Sequence, residues 1–406
     1  MSITAASRAL IVVLIAAFSL IGAAQILFGK PLATSAERGA SDAELARIVA
    51  DAIRPVLGGA GGIAVAVRAN RHTSLLNFGL ADRGRPVTSD VLFNLGSVAK
   101  VFDATLLAAA DRAGEISLDD PVAKYVTELQ GGGDIARVTL RELATYSSGI
   151  VLPQDHPPWP SPDQSFTLPQ FIALLTAWTA DAEHEPGRQV IYSHAGYVLL
   201  HLALERRFGM RFDQLMAQRL IRPLGLSSTT LPVPSANPEQ NPRGEIPPLL
   251  VRRAVQGYAA DGTPFGMPGD LEGYYHWLGT GQMYASAGDM AIFLKANLGE
   301  LDGAGALQAA MRRAQAPVLP IGPGVSQALA WEVRKDEEVI VDKFGGLYNS
   351  AAYIGLMPQR RIGIVILRNR GGSDIAEAGR NILAALGRQL RSRISSSSWR
   401  GEGPSG

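Results

Sequence analysis

A serine and a lysine three residues apart form the first candidate site. Ser97 and Lys100 end the segment 92–100, which leads from a polar turn into an apolar run that begins at Val101. The pattern predicts that Ser97 opens a buried helix, on which residues three apart share a face. A lysine among apolar neighbours loses part of its preference for the charged form and can accept the proton of a serine hydroxyl. The pair predicts nucleophilic catalysis at Ser97, with Lys100 as base.

Two further segments supply groups that could complete the site. Tyr192 ends an apolar, strand-like stretch before a predicted helix, and a phenol beside an ammonium group can act as base and then as acid. Near the end of the chain, Lys343 precedes Gly345 and Gly346 on a predicted strand whose glycines let a substrate backbone approach. Lys343 would supply positive charge, and the amides of Ser97 and Gly346 are the predicted oxyanion hole. Taken singly, Tyr192 could also be a core residue and Lys343 an exposed lysine on a strand.

Strand patterns at both ends of the chain must bring these groups together. The predicted strands cover residues 63–67, 74–79, 339–344, 351–357 and 362–367. Helical patterns dominate between them, and helices are also predicted from Ser41 to Pro55 and from Ile375 to about Leu390. We therefore expect an α/β (α+β) fold, with one antiparallel sheet built from both ends and flanked by helices. The α/β part would comprise residues 41–100 and 280–394, and a helical lobe would comprise residues 101–279.

The motifs together resemble a known family. The similarity runs from about Gly62 to Leu390 and includes further segments at 114–121, 140–149, 223–226, 285–290 and 362–367. By these segments the chain resembles the class C β-lactamases and the wider family of serine β-lactamases and penicillin-binding hydrolases. The resemblance implies a β-lactamase/transpeptidase-like fold and an acyl-enzyme on Ser97.

The same resemblance implies roles for further residues. Lys100 and Tyr192 match the acid–base partners of the family, and Lys343 matches the lysine of its third motif. Gln154 falls where the family has a glutamine that contacts substrate. Asn369 lies near the family's carboxylate-recognition region, so both are predicted to bind substrate.

Two positions depart from the family pattern. His194 stands where the family usually has asparagine, and an imidazole there would make activity depend on pH while still bonding the substrate amide. Phe344 stands where the third motif usually has threonine or serine, so a hydroxyl contact to the substrate carboxylate is expected to be lost. These changes leave the acylation groups in place, but they bear on which substrate is turned over.

Composition excludes several other classes. The 406 residues carry 38 Lys plus Arg and 37 Asp plus Glu, so no strong field would attract nucleic acid. Cysteine is absent, which excludes disulfides and thiolate metal sites. The six histidines show no metal-ligand spacing, and the glycine-rich stretches lack the lysine of a phosphate loop. We expect no metal, no cofactor and a monomer.

The N-terminal 30 residues read as a targeting segment. Arg8 is followed by an apolar run from Ala9 to Phe28, which predicts export to the periplasm as a cleaved signal peptide or a retained membrane anchor. A buried helix of the folded domain is the weaker interpretation. Residues 31–394 would form the hydrolase domain, and residues 395–406 are predicted to be a disordered tail.

The sequence thus predicts acyl transfer to water at Ser97. The first hypothesis is hydrolysis of the β-lactam ring of penicillins and cephalosporins. D-Ala-D-Ala carboxypeptidase or other D-amino-acid peptidase activity, with a peptidoglycan-like peptide as substrate, and esterase activity remain alternatives. A penicillin-binding sensor that acylates without turnover is the alternative that is not an enzyme.

Overall fold

The computed structural model describes residues 35–152, 167–233, 245–269 and 282–398. The targeting segment predicted at residues 1–30 lies outside these ranges, as does most of the predicted tail. The chain divides into two compact units, residues 1–44 and residues 45–406. The sheets, cores and site all belong to the second unit. Within the described ranges, no helix is long and apolar enough to span a membrane.

In the described residues, eleven strands form two antiparallel sheets. In chain order they are β1 (Gly62–Ala69), β2 (His72–Gly79), β3 (Leu92–Asn94), β4 (Thr229–Thr230), β5 (Tyr284–Ser286), β6 (Leu319–Gly322), β7 (Val325–Gln327), β8 (Glu332–Lys335), β9 (Val339–Gly346), β10 (Ala351–Met357) and β11 (Ile362–Arg368). The large sheet has the order β2-β1-β11-β10-β9-β8-β7-β6, and the small sheet has the order β3-β5-β4.

The α-helices are α1 (Ser35–Leu57), α2 (Ala99–Arg112), α3 (Leu140–Ala144), α4 (Leu168–Ala177), α5 (His194–Phe208), α6 (Phe212–Met216), α7 (Pro248–Val251), α8 (Ala287–Asn297), α9 (Gly305–Ala314) and α10 (Asp374–Ser398). Short 3₁₀ turns connect several of them, and a π-helical turn at Ala217–Ile221 follows α6. Helix α10 enters the predicted disordered tail by four residues, because no glycine or proline interrupts residues 388–398.

The large sheet joins the two ends of the chain, as predicted. β1 pairs with β11, with Ile63 opposite Arg368, and β1 continues into β2 through a two-residue turn. Asn70 and Arg71 in that turn both have positive φ, at 51° and 61°, which is the geometry that matches the twist of a hairpin. The prediction of an antiparallel sheet from early and late segments is confirmed. It missed β6 to β8 and the small sheet, because those strands are short and only partly apolar.

Helices cover both faces of the large sheet, so its central strands are buried along their whole length. Alternate residues of β1 point into two separate cores. Ala64 and Ala66 belong to the larger core with α2 and α8, in which Phe102 and Phe293 stack with ring centroids 3.9 Å apart. Val65 belongs to the smaller core with α1 and α10. The larger core lies on the side of the sheet that carries the candidate site.

Candidate active site

The nucleophile segment leaves the small sheet through a tight turn. Gly96 has φ +50°, and its amide donates to the Asn94 side chain at 3.0 Å. Ser97 then lies in the 3₁₀ turn Gly96–Val98, and α2 begins at Ala99, two residues later than predicted. The later start of the helix still leaves the Ser97 and Lys100 side chains on the same side of the segment, because residues three apart eclipse each other in a 3₁₀ turn.

Ser97 contacts both predicted partners. Its Oγ lies 2.5 Å from the Tyr192 hydroxyl, and Lys100 Nζ donates to the same Oγ at 3.3 Å. Lys100 is fully buried, on a helix in which eleven of the 14 residues are shielded from solvent. Tyr192, by contrast, is 40% exposed. The three groups are therefore within proton-transfer distance, with the lysine inside the protein and the phenol at the mouth of the site.

Local structure on both sides holds Tyr192 in place. The Ile191 amide donates to the Tyr146 carbonyl at 2.7 Å, which fixes the backbone just before the phenol. Ser193 follows directly and is the N-cap of α5, accepting from the Gly196 amide at 3.1 Å. Tyr192 is thus a short, anchored link between a turn and a helix.

Lys343 reaches the site from strand β9. Its side chain is 6% exposed, and Nζ lies 5.2 Å from the centre of the Tyr192 ring. The ammonium donates to the Tyr146 hydroxyl at 3.0 Å. Burial lowers the pKa of Lys343 below its ordinary value, and the charge of Tyr192 opposes that change. The structure thus brings all four predicted catalytic side chains together.

Strand β9 presses its glycines against the nucleophile turn. A Cβ on Gly345 would lie 2.4 Å from the Leu95 carbonyl oxygen and 2.7 Å from the Ser97 amide nitrogen, so only glycine fits there. Gly346 N lies 3.3 Å from the position that a Cβ on Gly96 would take. The predicted oxyanion donors, the amides of Ser97 and Gly346, therefore lie on backbones in close contact. Gly345 therefore packs against the nucleophile turn, although its strand was expected to let a substrate backbone approach.

Tyr146 is a site residue that the sequence analysis did not single out. It is 2% exposed, and its ring centroid lies 4.7 Å from that of Tyr192 and 5.2 Å from that of Tyr197. Burial raises the pKa of Tyr146 well above its ordinary value, so its phenol is neutral. The only signal in the sequence was its position within the 140–149 segment.

His194 lies beside the catalytic tyrosine. Its ring meets the Tyr192 ring edge to face, with centroids 5.2 Å apart. Burial lowers the pKa of His194 well below its ordinary value, and the positive charges of Lys100 and Lys343 lower it further. The imidazole is therefore neutral near pH 7, and its titration is moved toward acid.

The substrate-binding prediction for Asn369 is wrong. Its side chain is fully buried, and its Oδ1 accepts from the Gly62 amide at 2.6 Å. Its Nδ2 donates to the carbonyls of Leu80 and Ala81 at 3.1 and 3.2 Å. The amide joins the ends of β11, β1 and β2, and its full burial keeps it out of reach of a ligand.

Phe344 and Gln154 are the remaining positions that the sequence singled out. Phe344 is half-buried and packs against the smaller core, because neighbouring residues on a strand face opposite sides and Lys343 faces the site. Gln154 lies outside the described residues. Within the described ranges, no cluster of three or more histidine and acidic side chains could hold a metal ion.

Comparison with known proteins gives one consistent family. The family model described as Beta-lactamase matches residues 49–388. A beta-lactamase from Pseudomonas fluorescens is 26% identical over 363 residues, which is 80% of this chain and 93% of that protein.

Solved structures agree with this match. A D-alanine carboxypeptidase from Burkholderia cenocepacia is 25% identical and superposes with a TM-score of 0.72, covering 85% of this chain and 99% of its own. A class C beta-lactamase from Rhodobacter sphaeroides is also 25% identical, with a TM-score of 0.71 over 84% of this chain and 99% of its own.

Proposed function

The chain belongs to the beta-lactamase family, and we propose that it is a class C-like serine hydrolase that opens the β-lactam ring of penicillins and cephalosporins. One observation carries the proposal. The Ser97 hydroxyl contacts both the Tyr192 hydroxyl, at 2.5 Å, and the Lys100 ammonium, at 3.3 Å, on a turn that β9 covers. A buried lysine and a phenol on one serine hydroxyl form an activated nucleophile.

The reaction follows from this geometry. Tyr192, supported by Lys100, takes the Ser97 proton as Oγ attacks the carbonyl carbon of the lactam. The amides of Ser97 and Gly346 stabilise the oxygen anion that forms. The carbon–nitrogen bond breaks, the nitrogen takes the proton from Tyr192, and an ester to Ser97 remains. Water then attacks this ester with the same groups acting as base, and Ser97 regains its proton when the acid leaves.

A second candidate function, hydrolysis of esters or of D-amino-acid peptides, is favoured by the lack of contacts for a substrate carboxylate. Phe344 supplies no hydroxyl toward a substrate carboxylate, and Asn369 is occupied by backbone groups. Leu347 lies against Gly96 of the nucleophile turn. An apolar side chain beside this turn suits an uncharged group better than a carboxylate.

Time-resolved mass spectrometry tests these possibilities. The protein is mixed with a penicillin and a cephalosporin beside a Ser97→Ala control, and turnover of nitrocefin, a D-Ala-D-Ala peptide and a short-chain p-nitrophenyl ester is compared. A transient adduct on Ser97 with accumulating hydrolysed drug is expected for a β-lactamase. A lasting adduct without turnover would indicate a penicillin-binding sensor. Brisk ester or peptide turnover without any lactam adduct would overturn the first proposal.

We also propose that the protein is exported and acts as a monomer in the periplasm. The support is the charge of Arg8 before the apolar run from Ala9 to Phe28, together with the family match beginning only at residue 49. N-terminal sequencing of protein recovered from a periplasmic extract would separate a cleaved signal from a retained anchor. Recovery of the uncleaved chain in the cytoplasm would contradict export. Light scattering would measure the molecular mass in solution and so test the monomeric state.

A further inference from the structure

Tyr146 contacts the Lys343 ammonium through both its hydroxyl and its ring. The hydroxyl accepts from Nζ at 3.0 Å, and the ring centroid lies 4.7 Å from the same nitrogen. Both residues are buried, at 2% and 6% exposure. A buried ammonium that has lost its water needs acceptors from the protein, and Tyr146 supplies one together with the negative face of a ring.

The backbone of Tyr146 is held in an unfavourable conformation. Its φ of +56° lies in the left-handed region, which residues with a side chain seldom adopt. The Tyr146 carbonyl accepts from the Ile191 amide at 2.7 Å, and its amide donates to the Leu143 carbonyl at 3.4 Å. One strained residue thus ties the end of α3 to the segment that carries Tyr192, while its phenol reaches β9. Strain of this kind persists where the surrounding structure enforces it.

We propose that Tyr146 is a positioning residue of the acylation site, whose hydroxyl accepts from the Lys343 ammonium and fixes that charge beside the Tyr192 ring. This inference rests on the proposed serine hydrolase function. It assigns to Tyr146 a role that acts through Lys343 and involves no contact with the reacting atoms.

The charges around Lys343 make the proposal testable by pH. The groups that act on its charge are Tyr192, Lys100, Glu332 on β8 and Asp342 on β9 itself, and His194 lies within range of its field. Asp342 faces the opposite side of β9, where Arg380 and Tyr353 donate to it at 2.6 and 3.1 Å. Burial holds the pKa of Lys343 low, and an acceptor on Nζ counteracts that effect because it favours the charged form. Loss of the Tyr146 hydroxyl should therefore lower the pKa of Lys343 further.

The experiment measures how fast a fluorophosphonate probe labels Ser97 as a function of pH, with the adduct followed by mass spectrometry. Tyr146→Phe keeps the ring and removes the acceptor. We expect its alkaline limb to move to lower pH by about one unit, because a hydrogen bond to a charged group has that magnitude. At a fixed pH on this limb, labelling should slow about tenfold. Tyr125→Phe is the control, since it removes a part-buried hydroxyl that donates to Asp120, a residue that does not act on the Lys343 charge, and it should lower thermal stability without moving the limb.

The outcomes separate this proposal from the proposed function. Absence of any Ser97 labelling in the natural protein would refute the hydrolase function itself. Normal labelling with the same alkaline limb in Tyr146→Phe would overturn only the role of Tyr146. If Tyr146→Phe fails to fold, it is combined with Lys343→Met, which removes the buried ammonium. Recovery of folding in the double variant would support the contact, and continued failure to fold would refute it.

Discussion

At the residue scale, two ammonium groups share the site with three phenol rings. Lys100 Nζ lies 5.6 Å from the Tyr192 ring centroid and 5.4 Å from that of Tyr197. Lys343 Nζ lies 4.7 Å from the Tyr146 ring centroid and 5.2 Å from that of Tyr192. Tyr192 is therefore the ring that both ammonium groups share. Positive charge on either side favours loss of a proton from the phenol, as its role as base requires.

Removal of the buried amine tests the role of Lys100 in activating Ser97. We expect Lys100→Met to lower kcat for any accepted substrate by about 10³-fold, the range typical of a positioned proton-transfer group, with a much smaller change in KM. Steady-state kinetics measure both constants, and circular dichroism confirms that the variant is folded. Unchanged hydrolysis of every substrate would mean that Lys100 does not activate Ser97.

His194 should make stability depend on pH in a defined direction. Its pKa in the folded protein lies below the ordinary value of about 6.5, so the unfolded chain binds the proton more readily. The stability associated with neutral His194 is therefore complete above pH 6.5 and is lost as pH falls toward the folded pKa. In that window, His194→Asn should reduce the slope of unfolding free energy by about 1.4 kcal/mol per pH unit.

Denaturant unfolding at several pH values measures this slope for each protein. His72→Asn, in the exposed hairpin, is the control for loss of a histidine. An equal slope in the natural protein and in His194→Asn would show that His194 titrates alike in both states.

At the element scale, the contact between β9 and the nucleophile turn leaves no room for a side chain. Gly345→Ala would place a methyl group 2.4 Å from the Leu95 carbonyl oxygen, so β9 or the turn must shift. We expect a loss of about 2 kcal/mol in unfolding free energy, as for other overpacked sites, and a large fall in kcat because the oxyanion donors separate.

Gly322→Ala on β6 is the matched control, since a Cβ there meets nothing within 4 Å. Denaturant unfolding and kinetics on the two variants measure the difference. The close approach of β9 would be refuted if Gly345→Ala were as stable and as active as Gly322→Ala.

At the scale of the whole molecule, Asn369 joins the beginning of the fold to its end. Its amide makes three hydrogen bonds, one to Gly62 and two to the Leu80–Ala81 segment, more than 280 residues away in the sequence. Asn369→Ala leaves these buried backbone groups without that partner. We expect a loss of about 3 kcal/mol in unfolding free energy, with KM unchanged well below the melting temperature. A raised KM without loss of stability would instead restore the substrate-binding role.

Local patterns were enough to predict five adjacent strands of the large sheet and the acylation residues. Alternating or continuous apolar runs identified the strands at 63–67 and 351–357, and the placing of Ser97, Lys100, Tyr192 and Lys343 on three segments followed from motif and resemblance. These signals can be read from the sequence because they depend on residues two to four positions apart. The short strands β6 to β8 carry too few residues to show a period.

Tertiary structure alone decided what each polar side chain meets. Asn369 and Tyr146 both stand in segments that resemble the family, yet one bonds backbone groups and the other a lysine 197 residues away. Neither partner is visible from the sequence, because hydrogen bonds depend on distance and direction after the sheet has closed. The sequence determined which groups could do chemistry, and the packing of β9 against the turn at Gly96 decided which of them meet at Ser97.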